Sequence, residues 1–139
     1  MALETIIEQA TARVPVTVIS LEGELDASNF NELIETTRQV YEAGTRHLLV
    51  DMTNLRFMAS SGLVALHSML RLMHGEPPPD PEAGWGALHS LGADVSGGGT
   101  QSEVQLCGPQ AAVERVLTRT GLTRLFRIHP DRATALAEF

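Results

Sequence analysis

The chain has 139 residues, 43% of them apolar and 19% charged, and a formal net charge of −7. That length fits one domain able to bury about two thirds of its unfolded surface, and the mix is that of an ordinary globular fold. An acidic chain lacking clustered cations excludes non-specific binding to nucleic acid or to an anionic membrane surface.

From the N-terminus, "ETIIEQA" and "PVTVISLEG" are short β-branched runs separated by "TARV", which predicts a hairpin. The turn cluster "GELDASN" follows, where Ser28 or Asn29 can cap the next element. Phe30, Leu33, Ile34, Val40 and Tyr41 recur at helical intervals, and Gly44 stands where a helix would stop, so residues 29–43 are predicted helical. "RHLLVDM" reads as a buried strand. After a loop, Leu63, Leu66, Leu70 and Met73 mark one face of a second helix.

"EVQLCG" is a further strand, and "PQAAVERVLTRTG" a helix with Pro109 near its first turn and Gly121 at its end. "LFRIH" is the last strand, and "PDRATALAEF" a last helix opened by Pro130 and Asp131. The order β-β-α-β-α-β-α-β-α predicts an α/β fold: a hairpin, then alternating βα units with right-handed crossovers in a largely parallel sheet. One segment, at about residues 74–102, interrupts that order with a proline run and a glycine triplet, as in an insertion into a single domain. Within it Trp85, Leu88 and Leu91 have helix-like spacing, open to a short covering helix, to a partner-binding element or to disorder.

The lone cysteine, Cys107, permits no intrachain disulfide and points to a reducing compartment. The first residues show no secretory leader, and no apolar run approaches the about 18 residues that span a bilayer. The expected location is the cytoplasm, without membrane insertion. Oligomeric state is not set by the sequence.

The most informative stretch is "DMTNLRFMASSGLVAL", residues 51–66. It places Ser60 and Ser61 at the mouth of the second helix. If Ser60 is the N-cap, its oxygen can accept from the amide of Gly62 or Leu63. Helix starts also welcome negative charge, and a phosphoryl group brings about −1.5 to −2 charges and three acceptor oxygens. Capping and a chemical switch both fit, and Gly62 is expected to leave the approach open. Phe57 is expected in the core, Arg56 in solvent, and Asp51 as an acceptor that fixes the loop.

The run from Asp51 to Leu63 resembles the signature segment of the STAS domain, the family named for sulfate transporters and anti-sigma factor antagonists. "GELDASN" resembles that family's first loop, and "GLTRLFRIHPDRATAL" its closing strand and helix. The resemblance implies a mixed sheet of about five strands with about four helices. It also implies an anti-sigma factor antagonist, a non-catalytic part of bacterial transcription regulation. Such a protein binds an anti-sigma factor that is also a serine kinase. Phosphorylation by that kinase releases the partner, and a phosphatase reverses the modification.

By matching positions, Ser60 falls on the phosphorylated serine, Ser61 and Gly62 on the residues that follow, and Asp26 on a position near the binding surface; with the solvent-facing Arg56 and with Ala59 these are the expected partner-binding residues. Asp51 also matches a family position near that surface. Ala59 is a departure, because many regulated members carry Asp immediately before the target serine. An alternative use of the same domain is the STAS subunit of an ABC-type lipid or toluene-tolerance transporter.

Other chemistry finds little footing. His47, His67, His74, His89 and His129 lack the spacing of a zinc site. "MASSG" lacks the first glycine of a nucleophile elbow, and no Walker A or G-x-G-x-x-G run occurs. Cys107, in an apolar strand, reads as core. The expected catalytic, metal and cofactor sets are therefore empty.

Overall fold

The structure, a computed structural model, describes residues 3–75 and 101–139. The strands are β1 (Leu3–Thr11), β2 (Pro15–Leu25), β3 (Leu48–Met58), β4 (Gln101–Cys107) and β5 (Phe126–His129). The helices are α1 (Phe30–Glu42), α2 (Ser60–Met73), α3 (Ala111–Thr120) and α4 (Arg132–Leu136), with a 3₁₀ turn at Leu122–Arg124. The sheet order is β1-β2-β3-β4-β5; β1 runs antiparallel to β2, and the remaining pairs are parallel. The expected element order and mixed α/β sheet are found. The helix anticipated around Trp85, and most of the interruption that contains it, lie outside the described residues.

Alternation along the central strands sends side chains to two faces. Ile19, Leu21, Leu48, Val50, Met52, Val104 and Leu106 face one way and pack with Leu33 of α1, Leu66 and Met69 of α2, and Val113 and Leu117 of α3. Val16, Val18, Leu49 and Cys107 face the other way, against Ala135, Leu136 and Phe139 at the C-terminus. Both faces of β2 and β3 are thus covered. That is why Leu48–Val50 of β3 is a continuous apolar run rather than an alternating one.

Two local features depart from expectation. The segment Thr53–Met58, expected as loop, continues β3 beside Glu22–Leu25 of β2. The register slips twice, between Ser20 and Glu22 and between Gly23 and Glu24, each time leaving an extra residue on β3. The bulges bring Met52, Leu55 and Met58 inward at intervals of three, so the sequence shows neither a strand nor a helix period. In addition, α2 is buried nearly all round from Gly62 to Met73, not only along one stripe.

The seat of α2 is set by Gly62. A Cβ at that position would collide with Met58 Cγ and lie 3.0 Å from Leu25 Cδ2, so a bare α-carbon lets the helix start rest on the ends of β2 and β3. Ala59 adds a tie, its amide donating to the Leu25 carbonyl at 2.9 Å.

On the opposite face, Arg132 fastens α4 to the sheet. Its guanidinium donates to Asp51 at 3.0 and 3.2 Å, to Ser20 Oγ at 2.9 Å and to Glu8 at 3.3 Å. Asp131 caps the same helix by accepting from the Thr134 amide at 2.8 Å, as expected. Burial raises the Asp51 pKa, but bonds from Thr53 and Arg132 outweigh it and leave the carboxyl below its ordinary value. Burial, then the neighbouring Asp51 carboxylate, pushes the Cys107 thiol up to about 12, which fits an inert core thiol.

Two outcomes follow for stability. A carboxyl depressed in the folded state stabilises it fully above the unfolded pKa, and that contribution is lost as pH falls through the folded one. Asp51→Asn should therefore lose about 1.5–3 kcal/mol at neutral pH. It should also show a shallower fall in urea stability between about pH 4 and 2 than the native chain. Gly62→Ala should cost about 1–3 kcal/mol by overpacking, read as a lower urea midpoint at unchanged slope.

Candidate functional site

The C-terminal ends of β2 and β3 and the first turn of α2 meet at one pole of the sheet. Leu25 pairs with Met58, so the loop that leaves β2 lies beside the turn that enters α2. In the first loop the Asp26 carboxylate accepts from the Ser28 amide at 2.9 Å and also from the Ser28 hydroxyl. Those bonds, the hydroxyl's first, hold its pKa below the ordinary carboxylate value. The Asp26 carbonyl accepts from the amides of Asn29 and Phe30, which closes the turn.

Asn29 occupies the N-cap position of α1, yet its side chain makes no capping bond. It turns back instead, donating from Nδ2 to the Glu24 carbonyl at 2.9 Å and accepting from the Asp26 amide at 3.0 Å. Asn29 is buried and staples the loop to the end of β2, a role its place before a helix did not signal.

In the second loop the N-cap of α2 is Ala59, with extended backbone and no side chain able to cap. Ser60 is the first helical residue, one position beyond the expected cap. Its side chain is exposed, Ser61 is half-buried, and Ala59 lies partly open beside them. The expectation that Gly62 opens an approach from outside is corrected, since it is buried against Leu25 and Met58. Its missing side chain serves the packing beneath the serines.

Arg56 is exposed, as expected. Phe57, expected in the core, is 47% exposed because the second bulge turns Met58 inward in its place. Sequence reasoning missed this ring, and the only available signal was the three-residue spacing of Met52, Leu55 and Met58. The structure brings together Asp26, Ser28, Arg56, Phe57, Ser60 and Ser61 at this pole. Asp51 is not among them, because it faces α4 across the sheet.

Among the described residues, no base accepts a hydrogen bond from the Ser60 hydroxyl. A cavity of about 550 Å³ is lined by Thr17, Val40, Arg46 and His47, at the other end of the sheet. Among the described residues no group of three or more His, Cys, Asp or Glu is placed to hold a metal ion. No helix there is long and apolar enough to cross a membrane.

Comparison with known proteins agrees with the geometry. The pattern of the family described as "Mlab, STAS domain" matches residues 9–77, which run from the end of β1 through β2, α1, β3 and α2. An anti-sigma factor antagonist from Mycobacterium paratuberculosis superposes with a TM-score of 0.65 at 20% identity, over 97% of this chain and 92% of that one. The anti-sigma factor antagonist SpoIIAA in its unphosphorylated form gives 0.55 at 16% identity, over 93% and 89%. The phosphorylated form of the Bacillus cell fate determinant SpoIIAA gives 0.59 at 18% identity, over 96% of both chains. At these identities the superpositions establish a common fold, and the matched pattern makes the chain a STAS domain protein.

Proposed function

We propose that the chain is an anti-sigma factor antagonist, a non-catalytic switch that works in the cytoplasm by docking an anti-sigma factor with serine kinase activity. The observation that carries this reading is Ser60 itself: an exposed hydroxyl at the first position of a firmly seated helix, beside the exposed Phe57 ring. An aromatic ring ringed by polar groups is the composition of an interface anchor. The similarity to SpoIIAA, whose structure is known in phosphorylated and unphosphorylated forms, supports the same reading.

In this mechanism the partner covers Asp26, Arg56, Phe57, Ala59, Ser60 and Ser61. Its kinase activity places a phosphoryl group on Ser60, and a phosphatase removes it. The group adds about −1.5 to −2 charges in the middle of the contact. The fold tolerates the change, because the side chain is exposed and the helix dipole favours an anion there. A partner surface lying flat on that hydroxyl does not, since a desolvated unpaired charge is costly.

Ala59 bears on stability as well as recognition. Its extended backbone is already in capping geometry, so Ala59→Asp should add about 0.5–2 kcal/mol through a bond to a first-turn amide. A higher thermal midpoint would report it, and an unchanged one would mean those amides gain nothing from a cap.

Affinity capture from the source cells, with native, Ser60→Ala and Ser60→Asp chains as bait, tests the function. The native and alanine chains should retain an anti-sigma factor, and the aspartate chain should retain at least tenfold less, by the charge argument above. Equal retention by all three would remove the switch. Recovery of an ABC-type ATPase in place of a sigma regulator would move the protein to the transporter reading.

A further inference from the structure

Among the described residues the outer edge of β1 has no partner strand, because β1 is the first strand in the order and its ladder there is with β2. Over its nine residues, "LETIIEQAT", the pairing with β2 runs without a bulge. The strand holds no Pro, and its only charges are Glu4 and Glu8, so protection of the edge against pairing rests on two carboxylates. Ile6 and Ile7 are 43% and 47% exposed, and they are two of the three large apolar side chains exposed among the described residues. We propose that this edge pairs antiparallel with β1 of a second copy, forming a two-fold dimer whose axis passes at Ile7.

The register follows from ladder geometry and charge. In an antiparallel ladder, opposed residues both turn their amides toward the partner strand or both turn them away. When a strand pairs with its own copy, opposed positions therefore share parity, and the axis passes through a residue rather than between two. An axis at Ile7, the midpoint of Leu3–Thr11, uses the full strand and sets Glu4 against Ala10 and Glu8 against Ile6 of the second copy. An axis at Ile6 sets Glu4 against Glu8 twice, and an axis at Glu8 sets that residue against itself. Like charges directly opposed are unfavourable, so one register stands out.

The same register disposes of the exposed apolar groups. Ile7 meets Ile7 of the second copy, on the face that Ile7 shares with its β2 neighbour Ile19. On the other face Ile6 lies diagonal to its own copy. Glu8 also approaches its copy diagonally, and Arg132 at 3.3 Å supplies a countercharge in each protomer. The contact is narrow, so the dimer should be concentration-dependent rather than obligate.

Sedimentation velocity and light scattering of the full chain, from low micromolar to near-millimolar, test the proposal. The native mass should rise from 15.0 kDa toward twice that value. Ile7→Lys, at an exposed position and checked by circular dichroism, should stay monomeric throughout, whereas Phe57→Lys should dimerise as the native chain does. Ile7→Cys should form an interchain disulfide on oxidation, since the native Cys107 is buried. A native chain that stays monomeric at the highest concentration would overturn the proposal. So would a dimer that survives Ile7→Lys, or one that is lost in Phe57→Lys instead.

Discussion

The pole that carries Ser60 depends on a steric constraint at one α-carbon. With Gly62 resting on Leu25 and Met58, the start of α2 is held against the ends of two central strands. The Ala59–Leu25 hydrogen bond fixes the approach of the loop. Everything outside that contact follows from it: Ser60 and Ser61 are carried on top of a buried floor, and the Asp26 loop lies alongside. The helix behind them is buried nearly all round and packed against the sheet and α1, so it gives the serines a rigid base.

Rigidity matters because the proposed signal is a change in charge, not in shape. A phosphoryl group on a mobile loop can turn away from a partner at small cost. On the first residue of a seated helix its position is fixed, and the partner must accommodate it or leave. The Asp26 turn is similarly preorganised, with Asn29 pinning its backbone to the end of β2. The order of α4 at the far face has a separate source, the Arg132 clamp on Asp51 and Ser20.

Much of this fold was legible in the residues. The hairpin, α1, the alternation of strands and helices, and the Asp131 cap each rest on a local pattern of period or punctuation. The second half of β3 was not, because two bulges replace the two-residue alternation with inward positions at 52, 55 and 58. The same bulges hid Phe57, the ring that gives the pole its apolar anchor. The Arg132–Asp51 pair joins residues 81 apart in sequence, and no local pattern reports a contact at that separation. At the candidate site the serines and the first loop could be named from sequence. The inward role of Gly62 and the shift of the cap to Ala59 could not, since both depend on how the helix sits against strands distant in the chain.

Hydrogen exchange of the chain, alone and with its captured partner, tests the central claim most directly. New protection is expected only over the Asp26–Asn29 turn and Arg56–Ser61, with the β4–β5 side unchanged. Protection concentrated elsewhere, with those two segments exchanging as in the free chain, would contradict it.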